Sequence, residues 1–189
     1  MVIFAGMKVH ESNPKERIMQ TATRLFHQQG YQATGINQVI KEADVARASL
    51  YQHYESKEKL CIAYLNRRHD HWFTKLKKQV DRADDPQKRI LAAFDFIHAM
   101  NKEENYQGCA FLNMLGEISD KEKEILDIIQ NHKIDVRKYL GSLITGDKSI
   151  KDHIYLLFES AIMESKLFRS QWPVNECKKI VSRMLKAEG

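Results

Sequence analysis

The sequence predicts an all-α protein of about nine helices arranged in two domains, at residues 12–58 and 59–189. Apolar residues recur three and four positions apart along almost the whole chain, which is the spacing that brings side chains to one face of a helix. No segment alternates apolar and polar residues as a half-buried strand does, and no internal repeat stands out. Proline, glycine and aspartate residues separate the periodic segments, so the helix ends can be placed.

The composition is that of a globular chain. Of its 189 residues, 43% are hydrophobic and 29% are charged, which excludes an intrinsically disordered protein. No apolar run approaches the roughly 20 residues that span a membrane, so no membrane partner is expected. The three cysteines, Cys61, Cys109 and Cys177, are odd in number and widely spaced, which argues against a disulfide framework and for a cytoplasmic location. The net charge of +5 is compatible with an anionic partner but does not identify one.

The first helix is expected to follow an N-terminal arm, residues 1–11, which shows no helical period and is predicted to be disordered. The helix opens at Ser12 or Asn13, because Pro14 suits the first helical position. Gly30 is expected to end this helix as a C-cap. The apolar residues of its inner face are Ile18, Ala22, Leu25 and Phe26.

Residues 34–54 predict two short helices joined by a tight turn. Thr34 is the expected N-cap of the first helix, and Asp44 stands where that helix must stop, because aspartate tolerates turn conformations. The second helix covers residues 46–54, with Leu50 facing inward and no acidic residue. Two short helices joined in this way form a helix-turn-helix, whose second helix fits the major groove of DNA. The hydrogen-bond donors on this second helix are Arg47, Ser49, Tyr51, Gln52 and His53.

The fourth helix is predicted at residues 57–80, with Ser56 as its cap. Near its start, Leu60 and Tyr64 share one side and are expected to pack on the first domain. Another side faces the second domain, and its residues are Ile62, Leu65, His69, Trp72, Phe73, Leu76 and Val80. A helix with apolar residues for two cores is the pattern expected of a mechanical link between domains.

Five further helices are predicted, at about residues 86–103, 109–118, 121–144, 150–170 and from Pro173 onwards. Asp85 is expected to cap the first of these, and Pro86 to begin it. The helix at 150–170 is apolar almost all round, which is typical of a helix buried on several faces. Because the last two helices carry more apolar surface than a small domain needs, we expect a four-helix homodimer interface. Its predicted members are Ile154, Leu157, Ala161, Phe168, Cys177, Val181 and Met184.

Residues 17–60 resemble the DNA-binding domain of the TetR family of bacterial repressors. The resemblance rests on Arg17, Ile18, Phe26, Gly30, Tyr31, Thr34, Ile36, Val39, Ile40, Ala43, Val45, Leu50, Tyr51, His53, Tyr54, Ser56, Lys57, Glu58 and Leu60. Two positions depart from the family pattern. Asp44 stands at the turn, where the family usually has glycine. Ala46 stands where the family usually has a Ser or Thr that caps the recognition helix, and a cap of that kind is worth about 1 kcal/mol.

The resemblance implies a homodimeric transcriptional repressor, in which a three-helix helix-turn-helix DNA-binding domain precedes a helical ligand-binding and dimerisation domain. Such a protein would bind a palindromic double-stranded DNA operator and leave it when a small hydrophobic or aromatic effector binds. The residues that the resemblance places at base edges are Arg47, Ala48, Ser49 and Gln52, and those that it places at phosphates are Thr34, Tyr51, His53 and Lys57.

TetR-like regulators bind their effector inside the second domain, so the resemblance implies a cavity there, which we expect between helices 4, 5, 7 and 8. The candidate lining residues are His69, Trp72, Phe73, Leu76, Phe94, His98, Cys109, Phe111, His132, Val136, Tyr139 and Phe158. His69 and His132 each fall within an apolar stripe. Each is either a core histidine hydrogen-bonded to a neighbour or a polar group that lines the cavity. Because the candidates carry little formal charge, an aromatic or aliphatic effector is expected rather than an ionic one.

No set of catalytic residues, metal ligands or cofactor-binding residues stands out in the sequence. No histidine lies three or four residues from another, and the chain has no Cys-x-x-Cys motif or phosphate-binding loop. Cys109 begins the predicted sixth helix, a position that favours a reactive thiolate, so an electrophile or redox sensor of the same fold is an alternative. A DNA-bound scaffold without a ligand is a second alternative. A helical ligand-binding protein or enzyme that has lost DNA binding is a third.

Overall fold

The computed structural model describes residues 13–187, so the predicted arm at residues 1–11 and the candidate helix start Ser12 lie outside the described part. Within residues 13–187 the secondary structure consists of nine α-helices and no strand, which confirms the all-α prediction. The helices are α1 (Pro14–Gln29), α2 (Ile36–Glu42), α3 (Arg47–His53), α4 (Lys57–Val80), α5 (Pro86–Glu103), α6 (Ala110–Leu115), α7 (Lys123–Ser142), α8 (Lys148–Phe168) and α9 (Trp172–Ala187). None of these described helices is long and apolar enough to cross a membrane.

The chain divides into two compact units, of which the first ends at Tyr64 and the second begins at Leu65. The division falls inside α4, whereas the sequence places the domain boundary at residue 58, in the first turn of that helix. In the first unit, α1 packs on both α2 and α3. The fully buried apolar residues of this unit include Ile18, Ala22, Val39, Leu50 and Leu60.

Two side-chain caps in the first unit lie where the sequence predicts them. Asn13 Oδ1 accepts a hydrogen bond from the backbone nitrogen of Lys15 at 3.0 Å, and Ser56 Oγ accepts one from that of Lys59 at 3.1 Å. Each cap satisfies a backbone N–H that has no partner inside the helix. Helix α3 follows Ala46, which makes no side-chain cap.

The predicted cap of α2 is wrong. Gly35 is the N-cap residue of this helix, and no side chain caps it. Thr34 is instead fully buried, and its Oγ1 donates a hydrogen bond to the carbonyl oxygen of Gly30 at 2.6 Å. The hydroxyl therefore fastens the loop between α1 and α2. Because this side chain has no exposed surface, the expectation that it contacts a phosphate is also wrong.

The turn between α2 and α3 is held by Arg17 of α1. Asp44 has a φ of 51°, in the left-handed region that glycine adopts freely and that aspartate tolerates better than most residues. The guanidinium of Arg17 donates hydrogen bonds to the carbonyl oxygens of Ala43 at 3.1 Å and Asp44 at 2.8 Å. Asp44 thus forms the turn that the sequence predicts, and Arg17 fixes both residues of the turn from outside.

The second unit contains residues 65–80 of α4 together with α5–α9. Helix α8 packs against α5, α7 and α9, helix α5 also packs against α9, and helix α6 packs on α7. The fully buried side chains of its core include Leu76, Val80, Ile90, Phe94, Leu140, Ile154, Phe158 and Val181. In this arrangement α4, α5, α7 and α8, together with the short α6, surround the cavity described below.

Local interactions set the helix ends in this unit. Asp85 Oδ1 accepts a hydrogen bond from the backbone nitrogen of Lys88 at 3.0 Å, so α5 begins at the predicted Pro86. Helix α8 begins two residues before the predicted position, because the carboxylate of Asp147 caps it. Helix α6 has only six residues and ends before Gly116, so it is shorter than predicted at both ends.

Most residues predicted for the dimer interface belong to the core of their own unit, which corrects the prediction. Four of them, Ile154, Ala161, Cys177 and Val181, are at most 8% exposed, and of the whole predicted set Phe168 alone is largely exposed. The error arises because α8 is apolar on several sides, and helical period alone does not show which side faces inward. The large apolar side chains that α8 and α9 do expose are Leu156, Met163, Leu167, Phe168, Trp172 and Ile180.

Candidate nucleic-acid interface and buried cavity

The exposed face of α3 carries most of the side chains predicted to contact bases. Leu50 is fully buried, and this anchors one side of the helix in the first unit. On the other side the residues Arg47, Ala48, Tyr51 and Gln52 are exposed, whereas Ser49 and His53 are half-buried. Because this exposed side presents donors, a small residue and no acid, it has the chemistry needed to approach base edges and phosphates.

Arg47 is held by a partner that the sequence analysis did not single out. Its guanidinium donates a hydrogen bond to Asn37 Oδ1 of α2 at 2.9 Å. The guanidinium carbon also lies 5.8 Å from the centre of the Tyr51 ring, one turn further along α3. Asn37 is an exposed polar residue on an amphipathic helix, so nothing in its sequence position distinguishes it from a solvated side chain.

Lys57, at the start of α4, is also held in place. Its Nζ lies 4.3 Å from the centre of the Tyr31 ring and 3.5 Å from the carbonyl oxygen of Gln32. Tyr31 is buried, so the ring offers a fixed platform for the ammonium group. These contacts position the ammonium group of Lys57 in the first unit.

The second unit encloses a cavity between α4, α5, α6, α7 and α8. Its volume is about 30 Å³, counted as the space open to the centre of a water molecule. That space holds a water molecule or two and is smaller than an aromatic ring. Its lining residues are Arg68, Trp72, Phe96, Ile97, Met100, Asn101, Glu104, Gly108, Cys109, Ala110, Phe111, His132, Lys133, Glu159 and Ile162.

The predicted lining residues fall into three groups. Those that do line the cavity are Trp72, Cys109, Phe111 and His132. Those that are buried in the core beside it are Leu76, Phe94, Val136 and Phe158. Those that lie on an open depression between α4 and α7 are His69, Phe73 and Tyr139, together with Lys77 and Asp135. His98 lies in none of these places, and its carbonyl oxygen accepts a hydrogen bond from Gln171 at 3.0 Å.

His132 combines the two roles that the sequence left open. It lines the cavity, and its Nδ1 lies 3.1 Å from Nδ1 of His69. One of the two rings therefore donates this hydrogen bond through its N–H group, and the other accepts it. Its ring stacks on Phe111 with centroids 3.6 Å apart and an interplanar angle of 4°. Burial, followed by the positive charges of Lys133, His69 and Arg68, lowers the pKa of His132 to about 2. His132 is therefore a neutral, aromatic part of the wall.

Two buried ion pairs in the wall correct the expectation of little formal charge. Arg68 of α4 pairs with Glu104 at 2.5 Å, and Lys133 of α7 pairs with Glu159 of α8 at 2.5 Å. The four side chains are between 13% and 15% exposed. The sequence did not reveal them, because each pair joins residues that are far apart in the chain. The two pairs leave the wall with no net formal charge.

Cys109 belongs to the same cluster as Lys133 and Glu159. Lys133 Nζ donates a hydrogen bond to Cys109 Sγ at 3.3 Å and another to Glu159 Oε2. Burial alone would lower the pKa of Lys133. The attraction of its ammonium group to Cys109 and Glu159, and its hydrogen bonds to both, outweigh burial and raise the pKa. The second oxygen of Glu159, Oε1, is buried and has no hydrogen-bond partner among the described residues.

Comparison with known proteins identifies the first unit. The family model of bacterial regulatory proteins of the TetR family matches residues 18–64. The regulator LmrA of Bacillus subtilis is 39% identical over 79 residues, which are 41% of this chain and 42% of LmrA. Residues 18–64 are a TetR-family domain. The TetR match runs from α1 to the start of α4, and the chain aligns with less than half of the length of LmrA.

The similarity to TetR proteins extends over the second unit at lower identity. The HTH-type transcriptional repressor NemR of Escherichia coli is 23% identical over 164 residues, which are 86% of this chain and 81% of NemR. The crystal structure of a TetR-family transcriptional regulator from Streptomyces coelicolor superposes with a TM-score of 0.84 at 24% identity, covering 92% of this chain and 95% of that protein. At this identity the match shows that the aligned part of the chain shares the fold of that protein.

Proposed function

We propose that this chain is a sequence-specific DNA-binding repressor of the TetR type, which acts as a homodimer on a palindromic operator. The observation that carries the proposal is the exposed, acid-free face of α3, where Arg47, Ala48, Tyr51 and Gln52 lie together. In this proposal Arg47, Ala48, Ser49 and Gln52 meet base edges. The phosphate contacts are Tyr51, His53 and Lys57, without the buried Thr34.

Substitutions at Arg47 and Lys57 test the proposal, because the first side chain is expected to contact a base and the second a phosphate. An arginine paired to guanine contributes about 1–3 kcal/mol of discrimination, whereas a lysine at a phosphate strengthens binding to every sequence. Arg47→Ala should therefore relax base preference, and Lys57→Ala should weaken all sequences alike and reduce the salt slope by about one. The measurement is fluorescence anisotropy with DNA that flanks the protein's own gene, at two salt concentrations with random DNA as competitor. Equal effects of the two substitutions on both quantities would refute the assignment.

The homodimer is supported by the apolar side chains that α8 and α9 expose. Leu156, Met163 and Leu167 follow each other at helical spacing along α8, and the ring of Trp172 lies just beyond its end. Leu167 and Leu156 are 70% and 60% exposed, so much of their apolar surface meets water, which is unfavourable. Two copies of this surface would cover each other in a four-helix arrangement and present two recognition helices to successive major grooves.

Regulation by an effector is supported by the position of α4. Arg68 and Trp72 line the cavity, and the same helix begins at Lys57, a proposed phosphate contact. An effector that enlarges the cavity would displace this helix, so α4 would link the effector-binding and DNA-binding domains. A coupling of about 1–3 kcal/mol would lower operator affinity roughly 5- to 150-fold. A DNA-bound scaffold, by contrast, would keep a cavity of this small volume closed, and no small molecule would change its operator affinity.

A second candidate function is an electrophile sensor of the same fold, which the Lys133–Cys109 contact favours. A thiolate at Cys109 would add through sulfur to the β-carbon of an unsaturated carbonyl compound, and the ammonium group of Lys133 would supply the proton that the α-carbon takes up. In Cys109→Ser the electrophile should then no longer release the protein from its operator. In Cys177→Ser the electrophile should still release it. An unchanged response in Cys109→Ser would eliminate this candidate.

A further inference from the structure

Glu159 holds a buried hydrogen-bond acceptor that no described residue uses. Its Oε2 accepts a hydrogen bond from Lys133, whereas Oε1 is buried without a partner. Buried polar atoms in proteins are nearly always hydrogen-bonded, so an unpaired one points to a water molecule or a ligand. Because Glu159 lines the cavity, the missing donor would come from a molecule inside it.

The charges around Glu159 indicate which kind of donor fits. The carboxylate is already balanced by Lys133, and the nearby Arg68 is balanced by Glu104. A cationic donor would add an unbalanced positive charge next to Lys133 in a site with little water, which is unfavourable. An anion would meet the carboxylate of Glu159 itself. A neutral N–H or O–H group satisfies Oε1 without either penalty.

The walls of the cavity indicate the rest of the molecule. Trp72 lies edge-on to both Phe96 and His132, with centroids 5.1 and 5.4 Å apart, and Phe111 stacks on His132. Because His132 is neutral, these four rings form a continuous uncharged surface. Such a surface favours a flat aromatic body with few polar groups.

We infer that the effector site selects neutral aromatic molecules that carry an O–H or N–H donor, with Glu159 Oε1 as the acceptor. Phenols are the simplest members of this class. The inference rests on the proposed function, in which the cavity is the effector site, and it goes beyond that function by assigning the recognition group. Since the cavity is smaller than a ring, side chains of the wall move aside when the molecule enters.

Phenol and toluene test this inference, because they have nearly the same size and differ in one group. In a purely apolar cavity toluene binds better, since phenol gives up its hydrogen bonds to water. With a charged acceptor inside, phenol should bind roughly ten- to a hundredfold more tightly than toluene. The measurement is isothermal titration calorimetry on the full chain. Equal or tighter binding of toluene, or binding of neither compound, would overturn the inference and leave Oε1 as a site for water.

Substitutions at Glu159 identify the acceptor. In Glu159→Gln the amide oxygen can still accept from Lys133, which places the NH2 group where Oε1 lies, so the preference for phenol should fall about tenfold. Glu164→Gln, five residues along the same helix and outside the cavity lining, is the matched control and should keep the preference. Thermal unfolding of both variants checks that they remain folded. A preference unchanged in Glu159→Gln would overturn the assignment of this acceptor.

A parallel operator-binding measurement separates this inference from the proposed function. Phenol-selective binding that leaves operator affinity unchanged would support the recognition group and contradict effector control. Operator binding that is sequence-specific and released equally by phenol and toluene would support the repressor and overturn the recognition group.

Discussion

Single side chains in this protein are oriented by partners that lie far away in the sequence. His132 is enclosed by Phe111 on one side and by His69 on another. Lys133, its neighbour in sequence, is turned towards Cys109 and Glu159. Two adjacent residues of α7 therefore supply the cavity with a neutral ring and a paired charge.

The neutral state of His132 predicts how stability depends on pH. The pKa of His132 is lowered to about 2 in the folded protein, by burial first and then by nearby positive charges, whereas a histidine in the unfolded chain titrates near 6.5. As the pH falls below about 6.5, the unfolded state therefore binds a proton that the folded state does not. The free energy of unfolding should decrease by up to about 1.4 kcal/mol per pH unit from this residue alone.

His132→Phe should remove this component, because phenylalanine keeps the stacking on Phe111 and does not titrate. Urea unfolding at neutral pH and at about pH 5 measures the difference. His153→Phe is the matched control, since His153 is exposed, and its pH dependence should resemble that of the parent chain. A pH dependence that persists undiminished in His132→Phe would contradict the explanation.

At the level of helices, the three short elements of the first unit depend on one another. Arg17 of α1 fixes the turn between α2 and α3, and Asn37 of α2 holds Arg47 of α3. Helix α3 has seven residues and no side-chain cap, so its stability comes from this packing rather than from its own length. The exposed face of α3, which we propose contacts DNA, therefore depends on all three helices.

The Asn37–Arg47 hydrogen bond predicts a positioning role for Asn37. Asn37→Ala should free the guanidinium of Arg47 and reduce the preference for the best operator over its single-base variants, by up to about tenfold. The salt dependence of binding should not change, because no phosphate contact is lost. Anisotropy titrations with a set of operator variants give both quantities.

Gln38→Ala is the matched control for Asn37, because Gln38 is the next residue of α2 and bonds to Gln29 and Glu42 instead of Arg47. Asn37→Ala should have no further effect in the background of Arg47→Ala. Additive losses in the double variant would show that Asn37 acts independently of Arg47.

For the whole molecule, the exposed side of α8 and α9 predicts the state of assembly. Leu167→Glu places a charge in the middle of the apolar surface that we propose joins two copies, so the variant should be monomeric. Ile134→Glu is the matched control, since Ile134 is 46% exposed on α7 and lies outside that surface. Analytical ultracentrifugation distinguishes the two states. A dimer that persists in Leu167→Glu would place the interface elsewhere.

Loss of the dimer should also weaken operator binding. A monomer offers one recognition helix to a palindrome that has two half-sites, so the affinity of Leu167→Glu should fall steeply while its fold is retained. Circular dichroism verifies the helical content of this variant. Full operator affinity in a monomeric variant would contradict the homodimer model.

The sequence by itself determined the helices, the helix-turn-helix and the family resemblance. Helical spacing and the caps at Asn13, Ser56 and Asp85 depend on residues within one turn of each other, so they can be recognised without knowing the fold. A turn at Asp44 was predicted for the same reason, and the structure shows that its backbone is left-handed. These local signals were sufficient to place most helix ends within a few residues.

Only the tertiary structure decided which helix faces are buried and which charged side chains form ion pairs. The Lys133–Glu159 pair joins residues 26 positions apart, and the Arg68–Glu104 pair joins residues 36 positions apart, so no local period reveals either pair. Likewise, Ile154 and Leu156 are equally apolar, but one is fully buried and the other is 60% exposed. Helix period shows which residues share a face, whereas burial and charge pairing depend on the neighbouring helices, and these come from distant parts of the chain.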